Sequence, residues 1–160
     1  MTLEESAASL RRTTLFADLD EAEARTLAGL LRPFEAAPGE VLAVQGAPAD
    51  RLFLVDEGRL DAHVTEPGGA TELLSSVGPA DHLGEMALNH HMLRLATIRA
   101  RAEPDPAARV GARGRVLLAE DFAALRRACE PLALKVLLRL ARLLGARLRL
   151  RTEAITGVPS

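Results

Sequence analysis

The residues best suited to chemistry lie in the run Asp81-His82-Leu83-Gly84-Glu85-Met86-Ala87-Leu88 and at Arg94, shortly after it. Gly84 and Glu85 open a short apolar turn, and the free amides at the start of such a turn can receive an anion. Arg94 is set among Leu93, Leu95, Ala96 and Ile98. A guanidinium stays charged at any working pH, so placing one in an apolar strand costs stability unless an anion pairs with it. A phosphate suits that role because its oxygens match the planar fork. Glu85 supplies an acceptor for a sugar hydroxyl. One acceptor beside one phosphate clamp describes the recognition of a nucleotide with its ribose. The competing reading pairs Glu85 with Arg94 directly and needs no ligand.

Other chemistries find less support. No Ser or Cys stands in a nucleophile setting, and there is no Gly-rich phosphate loop or paired-carboxylate motif, so no catalytic residue and no enzymatic activity are expected. His63, His82, His90 and His91 invite comparison with metal-dependent β-rolls. Such a site needs two His at alternate strand positions, whereas adjacent His90 and His91 would diverge, so no metal is expected. Cys129 is the single cysteine, which precludes an internal disulfide and suits a reducing, cytoplasmic compartment.

The 160 residues, 48% of them hydrophobic, suffice for one core and not for two large domains. There is no Trp and no Tyr, and only Phe16, Phe34, Phe53 and Phe122 are aromatic. That excludes a reader that stacks bases on aromatic platforms. It also means that a bound purine must be covered by aliphatic side chains, with leucines of the last helix the natural candidates. A net charge of −2 argues against coating nucleic acid through bulk charge. The charge is uneven, because Lys135, Arg139, Arg142, Arg147, Arg149 and Arg151 fall in a stretch without an acid, giving an acidic body a basic end. These arginines also interrupt the longest apolar stretch too often for a membrane span, and no membrane partner is expected.

Residues 1–11 read as a polar leader or short helix, residues 12–154 as one domain, and 155–160 as a tail. Within the domain, Asp20-x-x-Glu23 has capping-box spacing, and Leu27, Leu30 and Leu31 follow at helical intervals. From residue 33 to about 119, short apolar runs (41–44, 52–55, 60–64, 73–77, 96–98, 116–118) alternate with Pro-Gly, Gln-Gly and Glu-Gly turns, which predicts an antiparallel β-roll. Glu103-Pro104-Asp105-Pro106 reads as an exposed loop in a stretch, 101–114, longer than a usual strand connection. A short helix over 121–127 and a long one from Pro131 to about Ala154 complete the chain. Two apolar stripes on the long helix, one through Leu134, Leu137, Ala141, Leu144 and Leu148 and the other through Ala133, Val136, Leu140 and Leu143, predict a second partner for it, the same helix of another subunit.

Gly84-Glu85-Met86-Ala87-Leu88, with Arg94 and Ala96-Thr97, resembles the phosphate-binding cassette of cyclic nucleotide-binding domains, as found in catabolite activator proteins, cyclic-nucleotide-dependent kinases and gated channels. Leu15-Phe16-x-x-Leu19, Pro38-Gly39-Glu40, Gln45-Gly46, Leu52-Phe53-Leu54-Val55 with Gly58, and Gly78-Pro79-x-Asp81 fall in the family's order, over about residues 12–150. The resemblance implies a mainly β fold with flanking helices: an eight-stranded β-roll (double-stranded β-helix or jelly roll), an N-terminal helix, and a long C-terminal helix that covers the pocket and pairs two subunits. It implies ligand contacts from Gly84, Glu85, Met86, Ala87, Arg94, Leu95 and Ala96, with Arg94 on the cyclic phosphate and Glu85 on the ribose 2′-hydroxyl. The ligand would be cyclic AMP or cyclic GMP, with no other cofactor; the absence of Thr at position 95 leans toward cyclic AMP. Leu95 stands where the family usually has Ser, Ala or Thr, and either narrows the pocket or points elsewhere. The implied function is a regulatory sensor acting on an effector protein or domain. The alternatives are a ligand-free interaction module of the same fold, or the sensor part of a catabolite-activator-like transcription regulator. The residues after the long helix are too few for a helix-turn-helix, so no direct nucleic-acid contact is expected.

Overall fold

A computed structural model describes residues 1–89, 91–102, 107, 109–128 and 130–159. His90, Cys129 and the Glu103–Pro106 part of the expected loop lie outside the described residues. Among those described, helices α1 (Leu3–Arg12) and α2 (Glu21–Ala28) precede eight strands, and α3 (Ala119–Arg127) and α4 (Pro131–Thr156) follow them. The strands are β1 (Arg32–Ala36), β2 (Val41–Ala43), β3 (Arg51–Gly58), β4 (Leu60–Thr65), β5 (Thr71–Val77), β6 (His82–Leu83), β7 (Thr97–Ala100) and β8 (Ala112–Leu118). They form two four-stranded antiparallel sheets, β1-β8-β3-β6 and β2-β7-β4-β5, which is the expected β-roll with flanking helices.

Strand β3 explains how the layers join. Phe53 and Val55 point into the roll, where they meet Leu60, Ile98 and Val116. Leu52 and Leu54 point outward to a second cluster made with Leu10, Phe16, Leu27, Phe122 and Val136 from the helices. A strand covered on both faces must be apolar at consecutive positions, which is why Leu52–Val55 runs without alternation. On neighbouring β8, Gly114 has no side chain because a Cβ there would sit 1.9 Å from the Leu54 carbonyl oxygen.

The helices add detail that the sequence left open. Residues 1–11 mostly belong to α1, capped reciprocally by Thr2 and Glu5, with Ala7 and Leu10 buried in the helical cluster. The Asp20–Glu23 capping box is formed, but α2 ends at Ala28, so Leu30 and Leu31 pack against the core from beyond the helix. On α4, Leu132, Ala133, Val136 and Leu140 are buried, and Leu137, Leu143 and Leu144 pack partly against them. The uncovered apolar stripe therefore runs through Leu134, Leu138, Ala141, Gly145 and Leu148, not through Leu137 and Leu144.

Buried Arg115 on β8 ties α1 to the roll. It donates to both carboxylate oxygens of Asp56, to the Ser6 hydroxyl and carbonyl, and to the Ser9 hydroxyl. Removing the partner of such a charge is worse than removing the pair. Asp56→Ala is expected to lower unfolding stability by about 3–5 kcal/mol, read as a shifted urea midpoint, while Asp56→Ala with Arg115→Met should recover part of that loss.

Candidate functional site

The strand end β6 delivers the chain to Gly84, whose φ of 84° lies in the left-handed region and turns it sharply into the 3-10 helix Glu85–Leu88. Glycine is required there for a second reason, since a Cβ would sit 2.5 Å from Nη1 of Arg94. Arg94 is fixed from the other side by its own backbone. Its amide donates to the Ala47 carbonyl (2.7 Å), its carbonyl accepts from Gly46 (2.8 Å), and the Met92 carbonyl accepts from Ala49 (2.9 Å). The turn after β2 thus straps down the segment that carries the guanidinium.

Arg94 is 5% exposed. Nη2 donates to Oδ1 of Asp50 (3.1 Å) and to the Arg51 carbonyl (2.8 Å), and the guanidinium carbon lies 5.6 Å from the Phe53 ring centroid. Nε and Nη1 have no hydrogen-bond partner among the described residues. Burial lowers the Arg94 pKa and Asp50 partly restores it. Asp50 itself is held below the usual carboxylate range, first by Arg51 and then by Arg94. The result is a buried cation with half of its fork committed and the other half available to an anion.

Arg94 lines a cavity of about 520 Å³, within the usual span for a small-molecule site. Gly84, Glu85, Met86, Arg94, Leu95 and Ala96 all line it; Ala87 is buried and does not. Glu85 is buried and accepts a hydrogen bond from Nη1 of Arg147 on α4, so the direct Glu85–Arg94 pair considered from sequence is not what forms. Leu95, at 62% exposed, lies on the cavity wall at the surface. Leu74, Leu93 and Leu150 share that wall, so the aliphatic cover includes one leucine of the last helix and two from the roll. Sequence reasoning missed Asp50, Arg147 and Arg151. Asp50 is 44 residues from Arg94 and Arg147 is 62 from Glu85, and each reads as an ordinary surface charge until the fold brings it in.

His82 sits behind the turn, 2% exposed, with neither ring nitrogen hydrogen-bonded among the described residues. It does not line the cavity. Among the described residues, no three His, Cys, Asp or Glu side chains gather as a metal would require. Burial pushes the His82 pKa down; Glu85 and Asp81 pull it back, and Arg147 opposes them. The folded chain therefore refuses a proton that the unfolded chain accepts below about pH 6.5. His82 leaves stability untouched above that value and subtracts from it as the pH falls, by up to about 1.4 kcal/mol per pH unit. Urea unfolding from pH 7 to 5 should show a shallower acid loss in His82→Leu than in the parent chain; equal slopes would contradict the assignment.

Comparison with known proteins agrees with this geometry. The family described as "Cyclic nucleotide-binding domain" matches residues 33–104. The fold is similar to the N-terminal domain of a transcriptional regulator from Streptomyces coelicolor A3(2), with 31% identity and a TM-score of 0.71 over 92% of this chain and 94% of that one. It is also similar to a cyclic nucleotide-binding domain from Methylobacillus flagellatus (27% identity, TM-score 0.75, 96% and 82% covered). A cAMP-dependent protein kinase regulatory subunit from Dictyostelium discoideum is 33% identical over 92 residues, 56% of this chain and 28% of that protein. The chain thus spans less than a third of the curated relatives it matches. By its β-roll, its cassette and these likenesses, this chain belongs to the cyclic nucleotide-binding domain family.

Proposed function

We propose that the chain is a regulatory module that binds a cyclic mononucleotide, cyclic AMP ahead of cyclic GMP, and reports occupancy through α4. The observation that carries this reading is the half-satisfied guanidinium of Arg94, a residue that lines one cavity together with Glu85. A cyclic phosphate supplies the missing acceptors, and the ribose 2′-hydroxyl donates to the carboxylate. The aliphatic wall covers the base without an aromatic lid. Absence of Thr at position 95 and the likeness to a cAMP-dependent kinase regulatory subunit support the adenine preference. Cytoplasmic location agrees with the lone cysteine, and no helix among the described residues is long and apolar enough to cross a membrane.

Dimerisation belongs to the same proposal. Leu134, Leu138, Ala141, Gly145, Leu148, Thr152 and Ile155 are exposed and recur in alternating steps of four and three, the spacing of a two-helix seam. A second reading, the sensor part of a longer transcription regulator, draws support from the coverage of the Streptomyces N-terminal domain. In either case a partner responds to a shift between two arrangements of α4 that differ in ligand affinity.

Titration calorimetry with cyclic AMP and cyclic GMP tests the ligand. Binding at micromolar or better affinity is expected, with Arg94→Ala losing at least about a hundredfold. No heat from either nucleotide with a folded protein would overturn the reading in favour of a ligand-free interaction module. The lack of Trp and Tyr makes a co-purified nucleotide the dominant ultraviolet chromophore of the preparation. For the seam, sedimentation should give a dimer that Leu138→Glu with Leu148→Glu converts to a monomer. A double variant that stays dimeric rules the seam out.

A further inference from the structure

Hydrogen bonds hold the Arg94 guanidinium at one corner. Among the described residues, both that it donates, to Asp50 and to the Arg51 carbonyl, leave from Nη2, while Nε and Nη1 donate none. A planar group tethered at a single nitrogen can rock about that point, and rocking carries the free donors out of line with an incoming anion. The other contact of the guanidinium is an aromatic ring. Its carbon lies over Phe53, 5.6 Å from the ring centroid. Phe53 is itself held firmly: it is buried, it stands opposite Leu83 in the pairing of β3 with β6, and Phe34 of β1 meets its ring edge-on, with centroids 5.5 Å apart and planes at 84°. Two of the four aromatic residues of the chain are thus stacked behind its one buried cation with free donors among the described residues.

We infer that Phe53 is a positioning residue for anion recognition, acting through Arg94 by a cation–π contact. The inference rests on the nucleotide-binding reading above. The negative face of an aromatic ring attracts a guanidinium without accepting a hydrogen bond from its N–H groups in the plane. Phe53 therefore supports the buried charge and leaves Nε and Nη1 to the ligand. A second carboxylate would support the charge equally well, but it would occupy those donors and repel a phosphate. An aliphatic side chain would fill the space and leave the charge unsupported. The contact is shielded from water, where such attractions are strongest. Its effect on binding is preorganisation: the ring fixes the plane of the fork before the anion arrives, so the anion does not have to order it.

Calorimetry with cyclic AMP on the full chain tests this with rings of unchanged shape. Phenylalanine analogues of rising fluorination, introduced at position 53, weaken the negative face stepwise with little change in size. Affinity should fall with each step and reach about tenfold weaker for the fully fluorinated ring. A flat series at position 53 overturns the role. The same series at position 34, whose ring meets Phe53, should leave affinity unchanged, and an equal loss there overturns the assignment to the cation–π contact. Side-chain NMR without ligand gives an independent readout. The Arg94 resonances should carry the upfield shift of a group above a ring and lose it in Phe53→Leu, and unaltered resonances overturn the contact. If the parent binds neither cyclic nucleotide, the proposed function fails along with the positioning role, whereas parent binding with a flat series at position 53 fails this inference alone.

Discussion

A guanidinium cannot shed its charge and cannot be buried without partners, and the site is organised around that constraint at Arg94. Burial lowers its pKa, but from so high a starting value that the charge persists. The fold answers with Asp50, the Arg51 carbonyl and the Phe53 face, which occupy one side of the group. It withholds partners from the other side, and Gly84 gives up its side chain to leave room there. The backbone strap from Gly46 to Ala49 keeps the segment from turning the guanidinium out to water. An arriving anion therefore meets donors already desolvated and oriented, and pays little ordering cost.

The constraint reaches α4 through Glu85. A carboxylate placed near a phosphate clamp is at odds with the ligand's own charge unless a cation attends it, and Arg147 is that cation. The rest of the distal half lacks the apolar anchoring of the proximal half. Weakly held elements at the end of a rigid core are where ligand occupancy can change structure at small energetic cost. On the proposed function, the exposed seam along the same helix is where a second copy would read such a change.

Much of this was legible in the sequence, and the gaps have physical causes. The β-roll showed through because turn dipeptides and short apolar runs are local signals. Strands β1 and β6 did not: the first carries Pro33 and faces mostly outward, and the second has two residues. Helix α1 read as either a polar leader or a short helix because its buried contribution is small residues and one leucine in a charged run. Arg94 and Glu85 stood out as candidates because a charge among apolar neighbours and an acid after glycine are local oddities. Asp50 and Arg147 belong to the site by long-range placement, which their residue type does not announce. Leu95 could be flagged but not placed, because whether a branched side chain fills or rims a cavity depends on the turn before it.

Arg115 shows what separates scaffold from site. It is as buried as Arg94 and of the same residue type, yet its donors go to Asp56, Ser6 and Ser9, and none is left over. An arginine so satisfied gains nothing from an anion and serves to fix α1 on the roll. His82 supplies the opposite control, for among the described residues both of its ring nitrogens lack hydrogen-bond partners, but it does not line the cavity and burial lowers its pKa. A missing hydrogen bond alone is thus a cost of folding. It marks a candidate binding site when the group is charged and belongs to the lining of a space of molecular size, and Arg94 meets both conditions.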